Sequence, residues 1–277
     1  MGHKLSAEEQ AFIDAEDFDQ FLNRIIHDWL KTLSFLAISL VPLFFILDYF
    51  IVPRNLLPQV GVYRLIATLI VMAQYLIIRL TRPSNLSYLH GYIISIVVGG
   101  VIVLMTRDLG GFSSSYYAGL NLVIIGVNML LPWRAIHSAL NSLIIILMYT
   151  TVNFIGLEAY RSNYLINNLF FLFATGIIAV SINHVKHILI RKEFYLMVEL
   201  KAARDAIWSE MELAKRIQTA LLPDKQKVQG YEIAATMKPA REVGGDYYDI
   251  VETPQGDKWV TIGDVSGHGV DSGLIMM

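Results

Sequence analysis

The chain has 277 residues, a formal charge of −2, no cysteine, 55% hydrophobic residues and 17% charged ones. A disulfide scaffold, a Cys-ligated zinc site and a thiol enzyme are thereby excluded, and a near-neutral balance without a basic run argues against nucleic acid as a partner. Charge is spread unevenly: residues 33–182 hold seven Lys/Arg and three Asp/Glu, whereas the other 127 residues hold thirty-six charges. An oily middle lies between water-facing flanks.

The first 28 residues carry no secretory n-region and h-region, so a cleaved signal peptide is not expected. Ser6-Ala7-Glu8-Glu9 reads as a capping box ahead of apolar residues at Phe12, Phe18, Phe21, Leu22 and Ile25. Residues 1–28 are therefore expected to form a cytoplasmic amphipathic helix. Met1-Gly2 followed by Ser6 also fits the permissive pattern for N-myristoylation.

Six apolar stretches follow, at 29–52, 60–80, 89–106, 116–133, 136–155 and 165–186. Each is long enough to cross about 30 Å of hydrocarbon as a helix. The gaps carry breakers and charges, such as Pro53-Arg54, Arg82-Pro83-Ser84, Asp108-Leu109-Gly110-Gly111 and Pro132-Trp133-Arg134. Residues 29–186 are thus predicted to form a six-helix transmembrane domain. Counting Lys and Arg near the span ends gives nine on one side, and four (Arg54, Arg64, Arg107, Arg161) on the other. That bias predicts a multi-pass protein of the inner membrane with both termini in the cytoplasm.

Polar residues sit at membrane depth: Asp48, Gln74, His90, Asn121, Asn128, Asn141, Asn153, Asn167 and Asn168. They are expected to face the bundle interior and bond between helices, and Asp48 has no evident charged partner at midspan. Pro42 can kink the first span, and Gly99-Gly100 lets a neighbour approach the third closely. His184 and His187, one turn apart, could bind metal or simply be solvated.

Residues 185–221 contain no Gly or Pro and are rich in helix formers. Leu200, Ile207, Ala214 and Leu221 form one apolar register, while the other mixes Met197 and Met211 with Arg204 and Gln218. The segment 187–222 is read as a coiled-coil-like connector that pairs two copies as a parallel homodimer; the alternative is a single amphipathic helix packed on its own domain.

Leu221-Leu222-Pro223 ends that helix, and a new domain opens at 223–277. Residues 231–235 and 259–262 read as strands, with Pro254-Gln255-Gly256-Asp257 as a turn. Two elements place an aspartate at a strand end beside glycines: Gly244-Gly245-Asp246-Tyr247-Tyr248-Asp249 and Gly263-Asp264-Val265-Ser266-Gly267-His268-Gly269. Brought together, such loops could hold a hard divalent cation, although Asp-rich loops are commonly just turns.

These two elements, with Pro239-Ala240-Arg241-Glu242-Val243 before the first and Ala214-Lys215-Arg216-Ile217-Gln218-Thr219-Ala220-Leu221-Leu222-Pro223 upstream, resemble the SpoIIE/RsbU family of bacterial serine phosphatases. The resemblance covers about residues 210–277 and implies a PPM-type, metal-dependent enzyme with a cytoplasmic α+β fold, an αββα sandwich. The whole chain is then an α-helical membrane protein with a long helical connector and the N-terminal part of that sandwich. It implies Asp246 as a metal ligand, Asp264 as a carboxylate bridging two Mn²⁺ or Mg²⁺ ions, and the Val265 backbone carbonyl as a further ligand. Asp249 and Gly245 are implied as supporting residues, and His268 stands where the family accepts Lys or His.

The implied reaction is hydrolysis of a phosphoserine or phosphothreonine ester, and the implied substrate a phosphorylated anti-sigma-factor antagonist. The family's remaining metal-binding aspartates have no counterpart before Met277. The expectation is of a truncated phosphatase domain that binds the metal pair poorly and is inactive as this chain. A second reading, from another class, is a membrane transporter or ligand-binding sensor with a non-catalytic phosphatase remnant.

Overall fold

The computed structural model describes residues 18–155, 162–223, 230–237, 244–266, 272, 273 and 275. The capping box and the segments holding Arg241 and His268 lie outside them. Two compact units are present, Met1–Phe194 and Tyr195–Met277.

The first unit is built from helices α1 (Phe18–Ile51), α2 (Leu57–Leu80), α3 (Leu86–Asp108), α4 (Ala118–Leu130), α5 (Ala135–Phe154) and the beginning of α6 (Ser162–Leu221). Five of them, all but α4, are long and apolar enough to cross a membrane. The expected fourth span is shorter. Its 13 helical residues rise about 20 Å, less than the hydrocarbon thickness. Gly110, at φ 107°, ends α3 and two 3-10 turns precede α4. At the far end Leu131 is extended, as a residue before proline prefers. There the α4 carbonyls of Asn128 and Met129 accept hydrogen bonds from Lys186 Nζ at 3.0 and 2.6 Å, which satisfies groups a helix end leaves bare. The first helix runs unbroken through residue 28, and Leu22 and Ile26 are buried in the same core as the spans.

Solvent preference in this unit is reversed. Large apolar side chains face outward, with Phe50 78% and Leu80 87% exposed, while Asp48, Gln74, Asn128, Asn153 and Asn168 are buried. That arrangement is stable only where the surrounding medium is itself apolar, so the unit is a helical membrane domain. Some of these amides bond between helices, whereas Asn141 is buried with neither amide atom hydrogen-bonded among the described residues and Asn167 is exposed. Gln74 Nε2 donates to His90 O at 2.7 Å, Asn153 Nδ2 to Thr106 Oγ1 at 3.1 Å, and Asn168 Nδ2 to Tyr149 Oη at 2.8 Å. Helix α3 lies centrally. A Cβ on its Gly99 would come within 3.0 Å of Ile145 of α5, so the glycine permits the close approach its sequence position foretells.

The second unit contains the end of α6 and a two-stranded antiparallel sheet, β1 (Asp246–Glu252) and β2 (Lys258–Asp264). The stretch 231–235, expected as a strand, lies in neither strand nor helix, and β2 pairs instead with the Gly-Asp element itself. The turn is as its residues dictate. Gly256 takes φ 89°, Thr253 N donates to Asp257 O at 2.8 Å, and Asp257 N donates to Thr253 Oγ1 at 3.0 Å.

Candidate metal-binding hairpin

The hairpin register sets Asp246 directly opposite Asp264 at its open end. Side chains of directly paired residues leave the same face, with Cβ atoms about 4.5–5.5 Å apart. Both aspartates are exposed, and among the described residues neither forms an ion pair with Lys or Arg. Like charges set opposite each other in a ladder are destabilising. A cation between them reverses the sign of that interaction.

One residue beyond the pair, Val265 N donates to Gly245 O at 3.0 Å. A Cβ on Gly245 would stand 2.6 Å from the Val265 carbonyl oxygen, so only glycine lets this carbonyl lie so near the first aspartate's strand. Gly244 is fastened in turn by Gln218 in the last turn of α6. The Gln218 amide nitrogen donates to Gly244 O, and its oxygen accepts from Gly244 N at 3.1 Å. Gln218 is only 1% exposed. Sequence reading placed it in the mixed register of the connector, with Met197, Arg204 and Met211; its partner, a backbone peptide 26 residues away, leaves no trace in a heptad pattern.

Strand alternation puts Asp249 on the face opposite Asp246. Its Oδ1 accepts from Ile250 N at 2.7 Å, and its hydrogen bond with the Tyr247 hydroxyl holds that phenol above its ordinary pKa. Asp249 thus shapes the strand and is not brought to the carboxylate pair. The donor set formed by Asp246, Asp264 and the Val265 carbonyl is all oxygen and fits a hard divalent cation such as Mn²⁺ or Mg²⁺. Among the described residues no group of three or more metal-ligating side chains gathers, so the two aspartates alone do not make a complete ligand set. His184 is exposed, whereas the His187 ring packs edge-on to Phe18 with centroids 5.5 Å apart.

One polar cluster in the membrane unit escaped the sequence. Asp48, fully buried, has a charged partner after all: Arg64, counted by position as an outer-end charge, lies inside α2 and is 7% exposed. Arg64 Nη2 donates to Asp48 Oδ1 at 2.9 Å, Nε donates to Oδ2, and Nη1 reaches Val41 O at 3.1 Å. Tyr116 Oη donates to Asp48 Oδ1 at 2.9 Å. The usable signal was two opposite charges near the same end of consecutive apolar helices.

Comparison with known proteins adds two findings. Part of the chain is 33% identical over 78 residues to phosphoserine phosphatase RsbU of Bacillus subtilis (strain 168), covering 28% of this chain and 23% of that protein. The chain thus spans about a quarter of the length of this curated relative. No solved structure matches. The MASE8 family model matches residues 46–201, from the Asp48 end of α1 through the spans into the second half of α6. With more than half of its length so matched, the chain belongs to the MASE8 family.

Proposed function

We propose that this chain is the membrane-sensing part of a metal-dependent protein serine/threonine phosphatase of bacterial signal transduction. The observation that carries the reading is the in-register pair Asp246 and Asp264 beside the Val265 carbonyl, in a chain with a segment similar to a phosphoserine phosphatase. Asp246, Asp264 and the Val265 carbonyl would hold Mn²⁺ or Mg²⁺. Such ions, when bound, supply Lewis acidity toward a phosphoryl oxygen and acidify water at neutral pH. The chain's own contribution is placement. Gly245 admits the carbonyl, Gln218 fixes the peptide leading into Asp246, and the ladder holds the two carboxylates in register. The substrate is a phosphoserine or phosphothreonine protein, of the anti-sigma-factor antagonist type.

The bundle spans the inner membrane six times, with Ser115–Leu130 as a short sixth member, and both termini are cytoplasmic; the Lys/Arg bias supports this orientation. The end of α6 pairs with a second copy. Leu200, Ile207 and Leu221, seven residues apart or multiples of it, are exposed by 72, 58 and 53%, and a row of exposed leucine-type side chains on a helix calls for a partner. A shift in that pairing, set by the bundle, would reach Gly244 through Gln218.

The test is Asp264→Asn introduced into the native gene. The phosphorylated fraction of the antagonist protein is expected to rise. Unchanged phosphorylation together with retained transport or ligand binding would instead make the hairpin a non-catalytic remnant.

A further inference from the structure

The membrane unit contains a cavity of about 580 Å³ between α1, α3 and α4, within the size range of small-molecule sites. Its walls are aliphatic and aromatic, among them Leu40, Phe44, Val98 and Leu122, and its polar side chains are Arg64, Ser115 and Tyr116. Arg64 is more than nine-tenths buried. Its guanidinium has five N–H donors, of which three are engaged by Asp48 and Val41. The other two have no acceptor among the described residues, Arg64 is one of the side chains that line the cavity, and buried donors without an acceptor are costly.

The missing acceptor can be narrowed by charge. Asp48 already neutralises Arg64, so an anionic head would bring a second negative charge to a single buried cation. An anionic phospholipid headgroup meets the same obstacle, because among the described residues that line the cavity the one cation, Arg64, is already paired. A neutral carbonyl oxygen meets neither. The rings of Phe44, over which Arg64 lies at 5.7 Å, and Tyr116 offer flat apolar surface to a planar head. The aliphatic walls along α1 and α4 suit a hydrocarbon tail.

We propose that this cavity binds a lipid-soluble quinone, its carbonyl oxygen on the Arg64 guanidinium and its tail between α1 and α4. The proposal deepens the sensory reading of the membrane unit by naming the class of molecule it takes. Its test reads binding alone, so it stands or falls separately from the phosphatase chemistry.

The experiment titrates decylubiquinone into the full chain in nanodiscs of dimyristoylphosphatidylcholine, following saturable binding and the accompanying rise in thermal stability. Gly126→Phe fills the cavity at a position where a Cβ meets nothing within 4 Å, and is expected to weaken binding by about tenfold or more, the scale of a lost anchor contact. Arg64→Lys keeps a cation opposite Asp48 but loses the fork of donors, and is expected to do the same. Decanoate should not compete. Non-saturable partitioning that is identical in wild type and both variants would overturn the proposal, as would displacement of the quinone by decanoate, which would assign the cavity to an anion. Should Gly126→Phe lose wild-type helicity, Leu122→Trp fills the same space from the same helix.

Discussion

The two units treat their carboxylates in opposite ways. In the membrane unit Asp48 is fully buried and is met by a bidentate guanidinium and a phenol, Arg64 and Tyr116. In the hairpin unit Asp246 and Asp264 are exposed, face each other across a ladder, and have no cationic side chain of the described residues beside them. A charge carried into a low-dielectric interior must bring its counter-ion with it, because no water or free ion will supply one. A carboxylate pair at a water-facing strand end can leave that position open for a cation from solution. On the proposed reading, protein-supplied neutralisation belongs to the structural carboxylate, and the exposed pair is left to a cation from solution.

The contrast can be broken most sharply at its buried end. Arg64→Met leaves Asp48 uncompensated and is expected to cost about 3–5 kcal/mol of stability, whereas Asp48→Asn combined with Arg64→Met should recover much of that loss. Thermal unfolding in detergent checks both; equal losses in the single and double variants would show that the pairing is not what holds α1 to α2. At the hairpin, Gly245→Ala forces a Cβ against the Val265 carbonyl, 2.6 Å away, and should cost about 1–3 kcal/mol by strand displacement. Hydrogen exchange of the β1–β2 ladder would report it. Gln218→Ala removes two hydrogen bonds to Gly244 and should cost about 1–2 kcal/mol, read as faster exchange at Asp246 and Tyr247 with the membrane helices unaffected. The smallest effect is expected for Arg134→Ala. Its ion pair with Asp19, at 2.6 Å, is about half exposed on both sides, and its loss should cost no more than about 1 kcal/mol.

What could be read from the residues depended on range. The long spans follow from local hydropathy, and the turn at 253–257 follows from Pro254 and Gly256. The short α4 was masked because Tyr116 and Trp133, at its two ends, are apolar enough to lengthen a window but sit in a 3-10 turn and an extended loop. Residues 231–235 have strand-like composition, yet the ladder chose Asp246–Glu252, where tyrosines and β-branched residues alternate on both faces. Asp246 and Asp264 were visible because glycines flank them. The Asp48–Arg64 and Gln218–Gly244 pairings were not, since each depends on two elements meeting in space, and even the motifs that hold Gln218 and Gly244 do not say that the two meet.

The central claim is that Asp246 and Asp264 are paired in order to share a divalent cation. Electron paramagnetic resonance of Mn²⁺ titrated into the chain tests it directly, because the free ion's signal falls as the ion binds and weak association is still detected. The account predicts a saturable loss of signal that disappears in Asp246→Asn and in Asp264→Asn alike. An identical titration curve for wild type and both variants would contradict it.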